Sequence, residues 1–287
     1  MPLPKGQQAW RKHHMQHAST PQSIVANLPV EELPMDSKEL MAPLPSVSYS
    51  IVTVTRNNRS GLQKTVESVI SQTFNTYEFV IIDGDSYDGT KHYLKLLGDH
   101  HIHWVSEPDR SIYDAMNKGI KQSRGTWVLF LNAGDCLASC KVLESLQPYL
   151  RPSLAVVYGD YAVDGFPHKA RPFSYIERWG LMTSHQSILF NRLVCGDLFH
   201  YNCNLRLSAD FDLVWRIRRK FPNGFSYSDQ VIASVHSGGI STQNFTRLRA
   251  EQLLTITRHF GLRGAINYLY EAFRKSLNRF LHRAKDR

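Results

Sequence analysis

Four clusters of polar side chains in this 287-residue chain have the types and spacing to do chemistry. The first is Asp83-Gly84-Asp85-Ser86-Tyr87-Asp88-Gly89-Thr90. The second runs from Ser106 and Glu107 through Asp109, Arg110, Ser111, Asp114, Asn117 and Lys118 to Gly119. The third is Asn132-Ala133-Gly134-Asp135, and the fourth is Ser208-Ala209-Asp210-Phe211-Asp212. Asp114, Asn117 and Lys118 fall within one turn of a helix. Lys118 or Arg110 could neutralise a diphosphate there, and the alternative is a solvated helix face. Ser86 and Asp88 are also the residue types that cap helices. Ser208 could cap its helix too, with Asp210 and Asp212 complementing the positive helix end. Two histidines stand apart. His185 precedes a short apolar run, and His236 precedes Gly238-Gly239, a pair suited to a mobile loop that closes over a ligand.

The elements that must hold these clusters are legible as alternating runs. Residues 50–55 form a β-branched strand that ends at Thr55 and enters the loop containing Asn57. Leu62, Val66, Val69 and Ile70 have the spacing of a one-faced helix. Further strands are expected over 78–82, 103–105 and 127–131, with helices carrying Tyr93, Leu94 and Leu97 and spanning 112–123. The strands are apolar throughout and the loops short, which implies a mostly parallel sheet covered on both faces. Ligands of such sheets bind outside the carboxyl ends of the strands. The polar clusters begin at those ends, after Thr55, Ile82, Val105 and Leu131. Beyond Asp135 the pattern weakens to strands over 156–163 and 187–190 and a helix over 210–220. Two closing helices are expected near 245–260 and 262–283.

With the strands in place, D-x-x-S-x-D-G-T at 83–90 resembles the signature of family 2 glycosyltransferases, usually D-D-G-S-x-D-G-T. Gly84 and Asp85 depart from it. The E-P-D-R-S-I-Y-D-A-M-N-K-G stretch at 107–119 resembles a run found in colanic-acid and exopolysaccharide-type members, with Ser111 in place of Gly. L-N-A-G-D at 131–135 resembles the metal-binding L-D-x-D-D of the GT-A fold, with Asn132 and Gly134 replacing carboxylates. Ser208–Leu213 resembles the family's E-D-x-x-L segment, with Ala209 in place of Glu and Arg216 at the Arg position.

The resemblance implies an α/β, GT-A, Rossmann-like fold with a C-terminal helical extension. It implies an inverting transfer of a sugar from a nucleotide-diphosphate donor to a hydroxyl of a glycan or lipid-linked acceptor. Asp83 would read the base. Thr55, Asn57, Asp109, Arg110, Asn117, Lys118 and Asn132 would line the donor site. Asp135 would hold Mg²⁺ or Mn²⁺, and one carboxylate suffices where substrate phosphates complete the coordination. His236 is a further candidate metal ligand. Asp210 would be the general base, with His185 and Asp212 on the acceptor side. The reduced third motif leaves open a non-catalytic nucleotide-sugar binder or scaffold.

The ends of the chain are read from composition. Residues 1–46, rich in Pro, Gln, Ser and His, form an expected flexible extension before a 47–240 catalytic domain. No apolar run reaches the length of a membrane span, so a cytoplasmic chain is expected, peripheral on the inner face of the membrane. Net charge is +9, and residues 244–287 alone carry ten basic and three acidic residues, +7. A basic tail favours anionic surfaces, and here lipid rather than nucleic acid. Within 241–287, Leu262, Ile266, Leu269, Tyr270, Phe273, Leu277, Phe280 and Leu281 form an apolar stripe. Arg263, Arg274, Lys275, Arg279 and Arg283 lie off it. Such a stripe either docks on an anionic bilayer or packs on the protein's own core.

Overall fold

The computed structural model describes residues 48–98, 101–172, 180–237 and 244–285. The expected 1–46 extension and the Gly238-Gly239 loop lie outside them. Four parallel strands form one half of the sheet: β1 (Tyr49–Thr55), β2 (Tyr77–Asp83), β3 (Ile102–Ser106) and β4 (Trp127–Phe130). Every residue of β1, β2 and β4 is buried, as expected for strands covered on both faces. Side chains alternate between two apolar layers. Ile51, Phe79, Ile81 and Leu129 pack with Leu62, Val66 and Val69 of α1 (Arg59–Ile70). Val52, Val80, Ile82, Val128 and Phe130 pack with Tyr113, Ala115 and Met116 of α3 (Ile112–Gln122). Between these helices in the chain lies α2 (Thr90–Leu96). Gly119, which ends the 107–119 motif, is a packing residue. A Cβ there would lie 2.3 Å from Val52 Cγ1.

The second half is mixed. It contains β5 (Cys136–Leu137), α4 (Val142–Leu146), β6 (Val156–Val163), β7 (Phe166–His168), β8 (Ile188–Asn191), α5 (Arg192–Cys195), α6 (Ala209–Lys220) and β9 (Phe225–Val235). The strand order is β3-β2-β1-β4-β8-β6-β9-β5, with β7 paired to β6. Chain order reverses between β1 and β4, the switch point at which α/β sheets open a ligand crevice. β8 runs antiparallel to β4, with Leu189 opposite Leu129. The turn that precedes it, His185–Ser187, is thereby brought to the carboxyl end of β4. The expected strand over 187–190 is thus shifted by one residue. β9 was not legible in the sequence; its FSYSDQVIASV run mixes polar and apolar residues without a clean period.

The C-terminal helix α7 (Phe245–Lys285) is interrupted at Gly261, where φ is 64° and ψ −163°. A positive φ costs glycine nothing, and the break falls between the two expected helices. Before the break α7 locks onto α6. His259 Nε2 lies 3.0 Å from Asp212 Oδ1, and Phe260 meets Trp215 edge-on with ring centroids 4.5 Å apart.

Candidate active site

The carboxyl ends of β2, β1 and β4 lie side by side, with Thr55 opposite Asp83 and the Ala133 amide bonded to the Val54 carbonyl at 3.1 Å. Asp83, Asn132 and Asp135 therefore share one edge of the sheet.

Asp83 is fully enclosed. Its Oδ1 accepts from Ser86 Oγ at 2.5 Å, and its Oδ2 accepts from Ser106 Oγ at 2.6 Å and from the Ser86 amide at 3.2 Å. Both oxygens thus organise the loop that follows β2. Asp85 has φ 59°, a left-handed conformation at the position where the usual motif has Gly, and Asp is among the few side chains that tolerate it. Gly84 leaves room for Asp109, since a Cβ on it would sit 2.9 Å from Asp109 Oδ2. Asp88 accepts from the Thr90 amide and hydroxyl, and from the Arg59 amide at 2.9 Å, so it ties α2 to α1. Asn57, at φ 50°, binds the same loop through Ser86 Oγ and the Tyr87 amide.

Of the second cluster, Arg110 is the exposed cation. Its side chain is 84% exposed and pairs with Asp114 at 2.8 Å. That contact and the Arg110 amide hold the Asp114 carboxyl down to about 2. Lys118 is not free to meet a diphosphate. It lies 2.7 Å from Glu107 and 2.6 Å from Asp109 and donates to the Pro108 carbonyl. Asn117 is structural, exchanging hydrogen bonds of 2.7 and 2.9 Å with the Tyr201 backbone. Ser111 caps α3 by accepting from the Asp114 amide, a cap that the usual Gly lacks.

The 132–135 turn is held from α1. Thr65 Oγ1 donates to the Asp135 carbonyl at 2.7 Å and accepts from the Gly134 amide. Asn58, which caps α1, donates to the Ala133 carbonyl. Gly134 sits at φ 108°, which explains glycine where the usual motif has a carboxylate. Asp135 Oδ2 accepts from Gln186 Nε2 at 2.6 Å. Burial raises the Asp135 carboxyl above its ordinary range, opposed by Gln186 and by the charge of His236. β5–β9 pairing brings His236 into this neighbourhood, but its Nδ1 faces Asp164 at 3.1 Å.

His185 joins the two sides of the site. Asn132 Nδ2 lies 3.1 Å from His185 Nε2, and His185 Nδ1 lies 3.9 Å from Asp210 Oδ2. Burial pushes the imidazole down to about 4, so it is neutral at pH 7. Burial pushes the Asp210 carboxyl up to about 6, against the Phe211 amide that bonds it and aided by the nearby Glu251 charge. Asp212 is turned to other work. Its oxygens meet Arg216 Nε at 2.9 Å and His259, which hold its carboxyl below the usual range although burial alone would raise it.

Glu251, invisible to sequence reasoning, anchors the segment leading into α6. It accepts from the Arg206 and Leu207 amides, the latter at 2.8 Å, and from Ser208 Oγ. Ser208 therefore bonds Glu251 instead of capping α6 itself. Gln186 and Asn58 were also missed, although an Asn just before a helical run is a cap signal. A separate cavity of about 460 Å³ opens beside β3, lined by Val80, His103, Trp104 and Arg124. None of the strand-end carboxylates lines it.

A sheet switch point with carboxylates at adjacent strand ends and a half-buried acid on a neighbouring helix fits a sugar-transferring enzyme of the GT-A class. Residues 50–204 match the model of Glycosyl transferase family 2, and the chain belongs to that family. It is 30% identical over 203 residues to a PGL/p-HBAD biosynthesis glycosyltransferase of Mycobacterium bovis (strain BCG / Pasteur 1173P2), covering 67% of this chain and 78% of the relative. Its fold is similar to S. aureus TarS 1-349 in complex with UDP-GlcNAc, at TM-score 0.60 and 15% identity, covering 78% of this chain and 72% of that one. It is also similar to the mannosyltransferase PcManGT from Pyrobaculum calidifontis in complex with GDP-Man and Mn²⁺, at TM-score 0.54 and 14% identity, covering 76% and 65%. The protein is a glycosyltransferase.

Proposed function

We propose that the chain moves a sugar from a nucleotide-diphosphate sugar to a hydroxyl of a glycan or lipid-linked acceptor, with inversion. The observation that carries this reading is the His185-Gln186 step. Gln186 holds Asp135 at 2.6 Å while His185 faces Asp210 at 3.9 Å. Adjacent residues thus hold the carboxylate suited to the leaving side and lie beside the one suited to the attacking side.

The donor side is supported by unspent polar atoms. Thr55 Oγ1 and Asn132 Oδ1 are buried without a hydrogen-bond partner among the described residues, and such atoms are costly unless a ligand satisfies them. No group of three His, Cys, Asp or Glu suited to a metal occurs among the described residues. The donor set fits a cation whose shell is completed by a diphosphate rather than a cage built by protein alone. Asp135 and Asn132 would hold Mg²⁺ or Mn²⁺, which when bound supplies charge stabilisation to the departing diphosphate.

On the attacking side, Asp210 takes the acceptor hydroxyl proton as the hydroxyl oxygen bonds to the sugar carbon. The bond from that carbon to the diphosphate oxygen breaks, and its electron pair leaves with the diphosphate. An acid of about 6 is ionised at neutral pH yet still basic enough to receive the proton. Neutral His185 lies beside Asp210 at 3.9 Å without adding charge. The likeness of the 107–119 run supports a role in building surface polysaccharide, and the proposal takes the chain to act in the cytoplasm without a nucleic-acid partner.

The test is a panel of nucleotide sugars read by thermal stabilisation with and without Mn²⁺. At saturation near 100 Kd the true donor should stabilise the fold by about 2.7 kcal/mol, and more with metal than without. Stabilisation by none of the panel would overturn the reading.

A further inference from the structure

We propose that the part of α7 beyond Gly261 is a docking surface for an anionic lipid bilayer. The sequence left two fates for the 262–281 stripe, and the structure divides that helix into two faces. Ala265 and Tyr268 are buried. Tyr268 OH donates to Gln252 Oε1 at 2.9 Å and accepts from Arg249 Nη1 at 2.9 Å, so this face is spent on the protein. Leu262, Ile266, Leu269, Tyr270 and Phe273 are between 53% and 73% exposed. Their spacing puts them on one stripe beside the buried face. Five large apolar side chains in one row are more than scattered surface hydrophobics require.

Charge identifies the occupant. Arg263 and Arg274 are exposed and lie along one edge of the stripe, where long basic side chains can reach lipid phosphates while the apolar row enters the acyl boundary. Residues 244–287 carry +7, which a negatively charged surface attracts at each basic residue. A second copy of the chain fits less well, because an isologous contact would bring the same arginines together. No described helix is long and apolar enough to cross a membrane, so the helix lies on the bilayer. The same helix holds the entry to α6 through Glu251 and pairs Asp212 through His259. The lipid-bound segment is therefore joined, across the Gly261 break, to the segment that contacts the helix carrying Asp210.

The test is co-sedimentation of the full chain with vesicles of phosphatidylcholine alone or with about 30% phosphatidylglycerol added as anionic lipid. Binding should favour the anionic vesicles at least tenfold and weaken with salt. The variant L262S/I266S/F273S, altered only at exposed positions, should lose at least about tenfold in partitioning with an unchanged melting temperature. Arg263→Gln should lose about fivefold on anionic vesicles. Absence of vesicle binding overturns the proposal, as does undiminished binding of the triple variant. So does a dimer in sedimentation velocity that the triple variant dissolves. The measurement needs neither donor nor acceptor, so its failure would leave the transfer reading untouched.

Discussion

Gln186 Nε2 donates to Asp135 Oδ2 at 2.6 Å, and Gln186 is the sequence neighbour of the histidine that faces Asp210. The carboxamide is itself fixed by Ser184, whose hydroxyl donates to its Oε1. One turn before β8 thus holds the carboxylate that follows β4 and lies beside the acid on α6. In metal sites, partners that orient a ligand matter nearly as much as the ligand.

Removing that hold is the first prediction. Gln186→Leu keeps the volume and deletes the donor. Mn²⁺ affinity in the presence of nucleotide should fall by about 10–100-fold, read by titrating Mn²⁺ against its paramagnetic signal. An unchanged Mn²⁺ affinity would reduce Gln186 to a packing residue.

The second concerns pH. Asp210 must be ionised to accept a proton, so kcat/KM should rise as pH passes through about 6 and level off above it. Glu251 contributes negative charge that raises the Asp210 carboxyl. Glu251→Gln should therefore move this limb to lower pH, whereas Glu251→Ala should also cost about 1–3 kcal/mol by stranding buried amides. A pH profile that Glu251→Gln leaves in place would deny the electrostatic link.

The third is a stability consequence of the same shift. Burial lifts the folded carboxyl to about 6, above the 3.8 of a free aspartate, so the native state holds the extra proton between those values. Stability contributed by this group is therefore full below about pH 4 and declines as pH rises toward 6 and beyond. Asp210→Asn removes the decline. With the side chain 21% exposed, the gain at pH 8 should be on the order of 1–2 kcal/mol, vanishing near pH 4. Urea unfolding at both pH values measures it; equal effects at the two would count against a raised Asp210.

The fourth tests the scaffold beneath the second cluster. Gly119→Ala would force a Cβ to 2.3 Å from Val52 Cγ1 and should cost about 1–3 kcal/mol through overpacking, read as a lower urea midpoint. Val52→Ala combined with it should recover part of that loss by opening space.

The sequence made the first four strands legible because each is a short, largely apolar run ending in a polar cluster, and β1, β2 and β4 are buried along their whole length. β5, two residues long, and β9, with alternating exposure broken by polar residues, carry no such period. As first-turn acids of one helix, Asp210 and Asp212 share the same local setting, and only the family resemblance favours Asp210 as the base in the sequence. What separates them is His259, which lies 47 residues further on and claims Asp212. Lys118 and Asn117 were placed on the right helix face, but spacing does not reveal that Glu107, Asp109 and the Tyr201 backbone occupy them. The departures from the usual motifs became intelligible only with backbone angles: Gly134 and Asp85 both sit at positive φ.

The most direct test of the account is Asp210→Asn, assayed with whichever nucleotide sugar stabilises the fold most. Transfer should fall by about 10²–10⁴-fold, while calorimetry with the same donor and Mn²⁺ gives a Kd within about twofold of the unaltered chain. Transfer that survives, or donor affinity that collapses together with it, would contradict Asp210 as the base that receives the acceptor's proton.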